Sequence, residues 1–194
     1  MQMNKVLLII SVVLVTSCGN STTYLPKPKG YNRIDLPPHE YVSLPDTFPY
    51  SFEHSKYAEI QNHDSWITER YWIDVNYPDM GANIQITYKP VKNQDELVEE
   101  YMQDSYKLTN QHNVKAYAIE EKIIELPNGD YASFTELEGE VPTQLQFHVS
   151  DSTNHFLRGA LYFELATAND SLAPVIEYIK EDALHMLLSL EWKD

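Results

Sequence analysis

The sequence is poor in cysteine, glycine and basic residues, and each shortage removes a class of function. Cys18 is the only cysteine in 194 residues, so no internal disulfide forms, and modification of that thiol would also exclude thiolate catalysis and cysteine-ligated metal. The six glycines form no phosphate loop or nucleotide fingerprint. With 14 Lys and Arg against 29 Asp and Glu, the formal charge is −15, which repels nucleic acid. We therefore expect no nucleic-acid partner and no cofactor.

The N-terminal segment carries the strongest local pattern. Lys5 precedes an apolar run over residues 6–15, which is shorter than the roughly 20 residues that a membrane-spanning helix needs. The next residues, Val15-Thr16-Ser17-Cys18, resemble the lipobox of bacterial lipoproteins. We predict a signal peptide over residues 1–17, cleavage before Cys18, and a membrane anchor through lipid on that thiol. The alternative is an ordinary secretory signal with an incidental cysteine.

The next 48 positions differ in composition from the rest of the mature chain. Residues 18–30 combine small polar residues with two prolines and predict a tether that follows the lipidated cysteine. Residues 31–65 are also rich in proline but contain many aromatic residues, which argues against a free linker. We expect this second segment to be an arm packed on a single domain that spans residues 66–194.

Hydrophobic periodicity predicts the elements of that domain. Alternating apolar and polar residues indicate a first hairpin, and the apolar spacing of residues 93–110 indicates a helix that Asn93 or Asp95 can cap. Four more strands follow, one hairpin having Asn-Gly in its turn, and an amphipathic helix that begins at Asp170 or Ser171 closes the chain. The predicted strands cover residues 71–77, 83–88, 115–126, 131–138, 144–149 and 156–165.

This order predicts an α+β fold, a mainly antiparallel sheet of about six strands covered by two amphipathic helices. The helices could lie on opposite faces of the sheet or together on one face. The strand run of residues 156–165 is almost continuously apolar, as expected of a central strand covered on both faces. The order of the elements is similar to that of the PsbP/Mog1-type α/β/α sandwich, which is a likeness of fold alone.

The segment Asp151-Ser152-Thr153-Asn154-His155 brings a carboxylate, a hydroxyl and an imidazole together in sequence. A hydrolase would need these groups to meet beside an oxyanion hole, but no nucleophile-elbow motif surrounds Ser152. Asp, Ser, Thr and Asn are the usual residues of turns, so a turn between two strands is the favoured interpretation.

Two further kinds of site are weighed. None of the seven histidines has the spacing of a helical metal pair, so we expect no metal centre. Arg158 interrupts the most apolar strand, either as an arginine paired with a carboxylate or as a binding residue at a groove. Trp66 and Trp72 stand near Asp64 and Asp74, an arrangement suited to stacking on a sugar.

One stretch of the chain reads Asp151-Ser-Thr-Asn-His-Phe-Leu-Arg-Gly-Ala-Leu-Tyr-Phe163. It is the sharpest of several stretches that resemble the gliding motility lipoprotein GldD family of Bacteroidetes. The resemblance extends over nearly the whole mature chain through residues 24–37, 49–53, 72–78, 104–105, 169–175 and 192–193.

The resemblance implies a cell-envelope lipoprotein required for gliding motility and for the associated type IX secretion machinery, with no known enzymatic activity. A non-catalytic protein-binding role is the leading hypothesis, and a glycan- or peptidoglycan-binding module is the alternative. Residues 19–23 lack the acidic side chains that typically follow the cysteine of surface-exposed lipoproteins in that phylum, so we expect the periplasmic side of the outer membrane. The expected partner contacts, which are equally compatible with contacts inside the chain, are Tyr24, Tyr31, Arg33, Asp35, Asp151, His155 and Arg158.

Overall fold

The computed structural model of the chain describes residues 35–64, 66–164 and 169–193. Within them lie eleven strands and two α-helices, with short 3₁₀ turns at Pro78–Met80 and Gln111–Val114. In chain order the elements are β1 (Tyr41–Ser43), β2 (Tyr50–Ser51), β3 (Glu53–Ser55), β4 (Glu59–Asn62), β5 (Ile73–Tyr77), β6 (Ala82–Pro90), α1 (Asp95–Asn110), β7 (Ala116–Glu125), β8 (Tyr131–Gly139), β9 (Thr143–Ser150), β10 (His155–Phe163), α2 (Asn169–Leu188) and β11 (Glu191–Trp192).

Seven of these strands form one antiparallel sheet in the order β4-β5-β6-β10-β9-β8-β7. The predicted α+β class, with a mainly antiparallel sheet and two helices, is confirmed. The six predicted strands are all present, and the seventh is β4, which lies in the stretch predicted as the arm. The hairpins close where expected, since Gly81 ends the turn after β5 with φ 59° and Gly129 turns between β7 and β8 with φ 90°.

The larger core lies between the sheet and α2. The fully buried residues Val75, Ile84, Leu161 and Leu145 face each other in register across β5, β6, β10 and β9. Against this row α2 packs an apolar stripe that includes Val175, Ile179, Ala183 and Leu187. Burial of each Val, Ile or Leu side chain contributes about 1.5–3 kcal/mol, which makes this layer the main source of stability.

The opposite face of the sheet is covered by α1 and is far more polar. A small apolar cluster joins Val98 of α1 to Val91 and Phe156. Farther along the helix, Ser105 lies 3.0 Å from Nδ1 of His148, and the hydroxyl of Thr109 donates to Gln146. The two helices therefore lie on opposite faces, which decides between the two arrangements that the sequence left open.

The central strand β10 leaves no room for a side chain at one point. A Cβ atom built at Gly159 would overlap the ring of Phe147 on the neighbouring strand β9. The phenyl ring fills the space that a larger residue would need, so glycine here permits the close approach of two strands in the α2-side core.

The residues before β5 form short strands that contact α2 and the C-terminus. β1 pairs with β3, and β2 pairs with β11. The backbone N–H of Glu53 donates to the hydroxyl of Ser189, and the carboxylate of Glu53 lies 2.7 Å from Nε2 of His185. This segment thereby forms part of the α2 face of the domain.

Candidate functional site

The turn between β9 and β10 is organised by the carboxylate of Asp151. Its Oδ1 accepts hydrogen bonds from the backbone N–H groups of Thr153, Asn154 and His155 at 2.8–2.9 Å. Burial acts to raise the pKa of Asp151, but these donors outweigh it and hold the pKa below its ordinary value. Asp151 is therefore ionised at neutral pH and fixes the shape of the turn.

His155, the first residue of β10, is held inside an aromatic cluster. Only 8% of the residue is exposed. Its Nδ1 lies 2.8 Å from the hydroxyl of Tyr88, and its ring stacks on Trp192 with centroids 5.0 Å apart and planes at 6°. The ring of Tyr88 contacts those of Tyr50 and Tyr71 in turn. The C-terminal strand β11 is thus joined to the centre of the sheet through this imidazole.

These contacts bear on the hydrolase interpretation of residues 151–155. One imidazole nitrogen of His155 faces Tyr88, and the other lies 4.0 Å from Oδ2 of Asp151. Ser152 has a left-handed backbone with φ 61°, and its N–H donates to the hydroxyl of Ser150. These residues thus form a turn in which side-chain oxygens accept hydrogen bonds from backbone N–H groups.

Arg158 lies partly buried in the polar layer beneath α1. Its Nη2 donates to Oε1 of Gln146 at 2.6 Å, while its Nε is buried without a partner. In the described ranges no carboxylate lies within ion-pair distance of the guanidinium. The expectation of a carboxylate partner is therefore not met there, because Gln146 takes that place. Burial lowers the pKa of Arg158, and its charge helps to lower that of the nearby His112.

His148 belongs to the same layer and is neutral at physiological pH. Burial lowers its pKa to about 4; the charge of Arg158 acts in the same direction, and Glu121 opposes it. The ring is stacked between α1 and the sheet, with Tyr106 edge-on at 5.3 Å and Phe156 at 5.9 Å. Its role in this geometry is to fill the interface between helix and sheet.

The remaining predicted contact residues divide into two groups. Cys18, Tyr24, Tyr31 and Arg33 lie outside the described residues. Asp35 is described, is exposed, and lines a cavity of about 310 Å³ with residues of β5 and the turn that follows it, among them Tyr77 and Met80. The described residues among the contacts proposed from the sequence therefore do not share one surface.

A buried carboxylate on α2, with histidine and tyrosine side chains around it, was missed by the sequence analysis. Asp182 is fully buried; its Oδ1 lies 2.7 Å from Nδ1 of His39, and its Oδ2 accepts from the hydroxyl of Tyr77. The ring of His39 also stacks on Tyr178 at 4.3 Å. One signal was available in the sequence, since Asp182 interrupts the apolar stripe of the helix between Ile179 and Ala183.

The tryptophan pair proposed for sugar stacking is not arranged as a pocket. Trp66 is 95% exposed, whereas Trp72 is partly buried and donates its indole N–H to the carbonyl of Tyr88. Asp74 is engaged with His63 at 2.8 Å. Neither indole lines the cavity beside Tyr77 and Met80 or the cavity beside Val98 and Met102.

Exposed apolar side chains gather instead near β7 and α1. Tyr117 and Ile123 on β7 are 82% and 62% exposed, and Tyr131 on β8 and Tyr106 on α1 are also exposed. Beside them a cavity of about 430 Å³ is lined by Val98, Met102 and Tyr106 with the acidic residues Asp95 and Glu99. Such a surface is typical of protein contacts.

The described residues contain neither a membrane-spanning helix nor a cluster of metal ligands. None of the helices in the described ranges is long and apolar enough to cross a membrane. Nowhere in that part of the chain do three His, Cys, Asp or Glu side chains converge as metal ligands would.

Fold and sequence together define the class of protein, an α+β domain whose preceding residues resemble the start of a bacterial lipoprotein. The chain belongs to the gliding motility lipoprotein GldD family, whose model matches residues 21–192. The family expected from the sequence motifs is thereby confirmed.

Comparison with other proteins adds little to this family membership. The solution structure of cyanobacterial PsbP (CyanoP) from Synechocystis sp. PCC 6803 is similar, with 10% sequence identity and a TM-score of 0.43. The likeness covers 83% of this chain and 97% of that chain. It is too distant to carry an argument about function. No match was found among curated proteins.

Proposed function

We propose that this lipoprotein is anchored in the outer membrane, faces the periplasm, and acts as a non-catalytic protein-binding component of the gliding and type IX secretion machinery. The observation that carries the proposal is a contrast between the polar groups of one turn and the apolar side chains of one surface. The candidate catalytic groups Asp151 and His155 are committed to internal hydrogen bonds, whereas apolar side chains stand exposed around β7. Chemistry needs free polar groups, and protein binding needs exposed apolar ones.

The anchor and its orientation rest on the sequence. The lipobox at Val15–Cys18 supplies the lipid attachment site, and an acylated, diacylated cysteine holds a protein stably at a membrane. Residues 19–23 contain no acidic side chain, which supports the periplasmic orientation.

Tyr31, Arg33, Asp35, Asp151, His155 and Arg158 remain the contacts proposed from the sequence. For Asp151 and His155 the internal hydrogen bonds favour a positioning role, in which the residues shape the surface that a partner meets. Asp35 is exposed at the start of the described chain.

A crosslinking pull-down from cell envelopes tests the proposal. The native protein should retain gliding or secretion proteins, and a Cys18→Ala form should lose them together with its membrane attachment. Arg158→Ala tests whether the polar layer beneath α1 contributes to partner recovery, provided that the unfolding midpoint of this variant is unchanged. Recovery of glycan without any protein partner would overturn the proposal in favour of a glycan-binding module. For a non-catalytic protein, gliding and secretion with His155→Ala should fall only in proportion to the loss of folded protein.

A further inference from the structure

The outer edge of β7 is a long row of backbone groups that face away from the sheet. β7 spans ten residues at one end of the seven-stranded order, and within the described ranges only β8 pairs with it. The opposite edge, β4, has four residues. A long unpaired edge is a template for another strand, and proteins usually shorten or cover such edges.

The side chains of β7 add apolar contact area to that backbone edge. Tyr117 and Ile123 project into solvent, and Ile123 faces the same side of the sheet as α1, since it pairs with Ser133 beside His148. Exposed Tyr106 of α1 lies above that face. A strand added to β7 would therefore cover apolar side chains as well as satisfy backbone groups.

The charge around β7 selects the kind of strand that fits. Glu120, Glu121 and Glu125 lie in the strand, and its one cation, Lys122, is already engaged by Glu136 at 2.8 Å. The cavity that Tyr106 lines also carries Asp95 and Glu99. Pairing with a second copy would bring these carboxylates together, so the complement is an extended segment rich in Lys or Arg.

The described chain begins far from this edge. Asp35 lines a cavity with Tyr77 and Met80 at the end of β5, five strand spacings from β7, or roughly 24 Å. The edge thus lies across the sheet from the side on which residue 35 joins the domain.

We propose that β7 binds a basic, extended segment of a partner envelope protein by adding it as an eighth strand. The proposal rests on the protein-binding function above and locates its surface. Backbone pairing supplies affinity, contacts with Tyr117 and Ile123 fix the register, and Glu120 and Glu125 select for Lys or Arg.

Site-specific crosslinking in envelopes tests the proposal with the full lipidated chain. Because lipid occupies the thiol of Cys18, one added cysteine is the only free thiol in the chain. Ile123→Cys would carry a maleimide–diazirine crosslinker, with Gln61→Cys on the opposite edge as the matched control and Tyr117→Cys as a second probe. We expect a crosslink at position 123 that is absent at position 61, mapped by mass spectrometry to a Lys- or Arg-rich segment of another protein.

Charge-reversal variants test whether the carboxylates of β7 select the partner. In the Ile123→Cys chain, Glu120→Lys with Glu125→Lys should reduce the crosslink about tenfold, whereas Glu100→Lys on the exposed side of α1 should leave it unchanged. A crosslink to a second copy, to residues 18–34 of the same chain, or to an acidic segment would overturn the proposal. So would equal crosslinking at positions 123 and 61. In that case the protein-binding function still stands if partners co-purify with the native protein, and falls if they do not.

Discussion

Replacing Asp151 with alanine removes one oxygen that three backbone N–H groups share. The donors are the amides of Thr153, Asn154 and His155, all within 2.9 Å of Oδ1. The amides of Thr153 and Asn154 belong to exposed residues, whereas that of His155 belongs to a buried one. Water can replace the carboxylate at the first two positions but not readily at the third.

The expected loss of folding stability follows from the different exposure of these three amides. A buried donor left without a partner costs about 1–3 kcal/mol, and an exposed one costs a few tenths. We expect Asp151→Ala to lower the free energy of unfolding by about 2–3 kcal/mol. Asp151→Asn retains an oxygen that can accept the same bonds, so it should lose only about 1 kcal/mol.

The same carboxylate makes the loss depend on pH. Its pKa is lower in the folded chain than in the unfolded chain, so its stabilising effect is present above about pH 4 and is lost as the pH falls through the folded value. Urea unfolding followed by circular dichroism, at pH 7 and at pH 3.5, measures both effects. The difference in free energy of unfolding between the wild type and Asp151→Asn should be smaller at the lower pH.

Glu100→Ala serves as the control, because Glu100 is an exposed carboxylate on α1. If Asp151→Ala unfolds within about 0.5 kcal/mol of the wild type at pH 7, the turn does not depend on this acceptor and the reasoning fails.

Three other outcomes are expected. Gly159→Ala should destabilise the chain by about 1–3 kcal/mol in urea unfolding, because its Cβ would overlap the ring of Phe147, and Phe147→Leu in the same chain should recover part of that loss. The imidazole of His148 should titrate by NMR near pH 4. Because its pKa is lowered on folding, the free energy of unfolding should fall as the pH drops from about 6.5 toward 4, and His148→Gln should reduce that slope. Asp182→Ala should leave His39 and Tyr77 without their acceptor and so increase hydrogen exchange over residues 39–43, while Asp182→Asn should have a smaller effect.

The strands of the sheet could be predicted because their side chains alternate or run apolar. Ile73, Val75 and Tyr77 face the core from one side of β5, and the apolar run of β10 reflects burial on both faces. β4 escaped prediction because Ile60 is the only apolar residue in its four positions, and so short a segment carries no period. Which face each helix covers depends on tertiary contacts that periodicity does not encode.

The start of α1 differs from the expected cap for a tertiary reason. The helix begins at Asp95, and its N-cap is Gln94, which makes no side-chain capping bond. Asn93 is unavailable, since its N–H donates to the carbonyl of Thr153 and its side chain donates to Asn154. A loop distant in sequence thus takes the residue that local rules assign to the helix. Asp182 was missed for a similar reason, as its partner His39 is 143 residues away.

Among the described residues, several members of the motifs that revealed the family pack in the interior. Tyr50 and Trp192 pair across β2 and β11, and Trp192 stacks on His155 at the start of β10. Substitutions at these positions should therefore impair function in proportion to the loss of stability. β7 lies outside the stretches that carry the resemblance, and its exposed residues contribute little to the core. Loss of partner binding in a β7 variant of normal stability would consequently report the contact itself, whereas the same loss in a His155 variant would not.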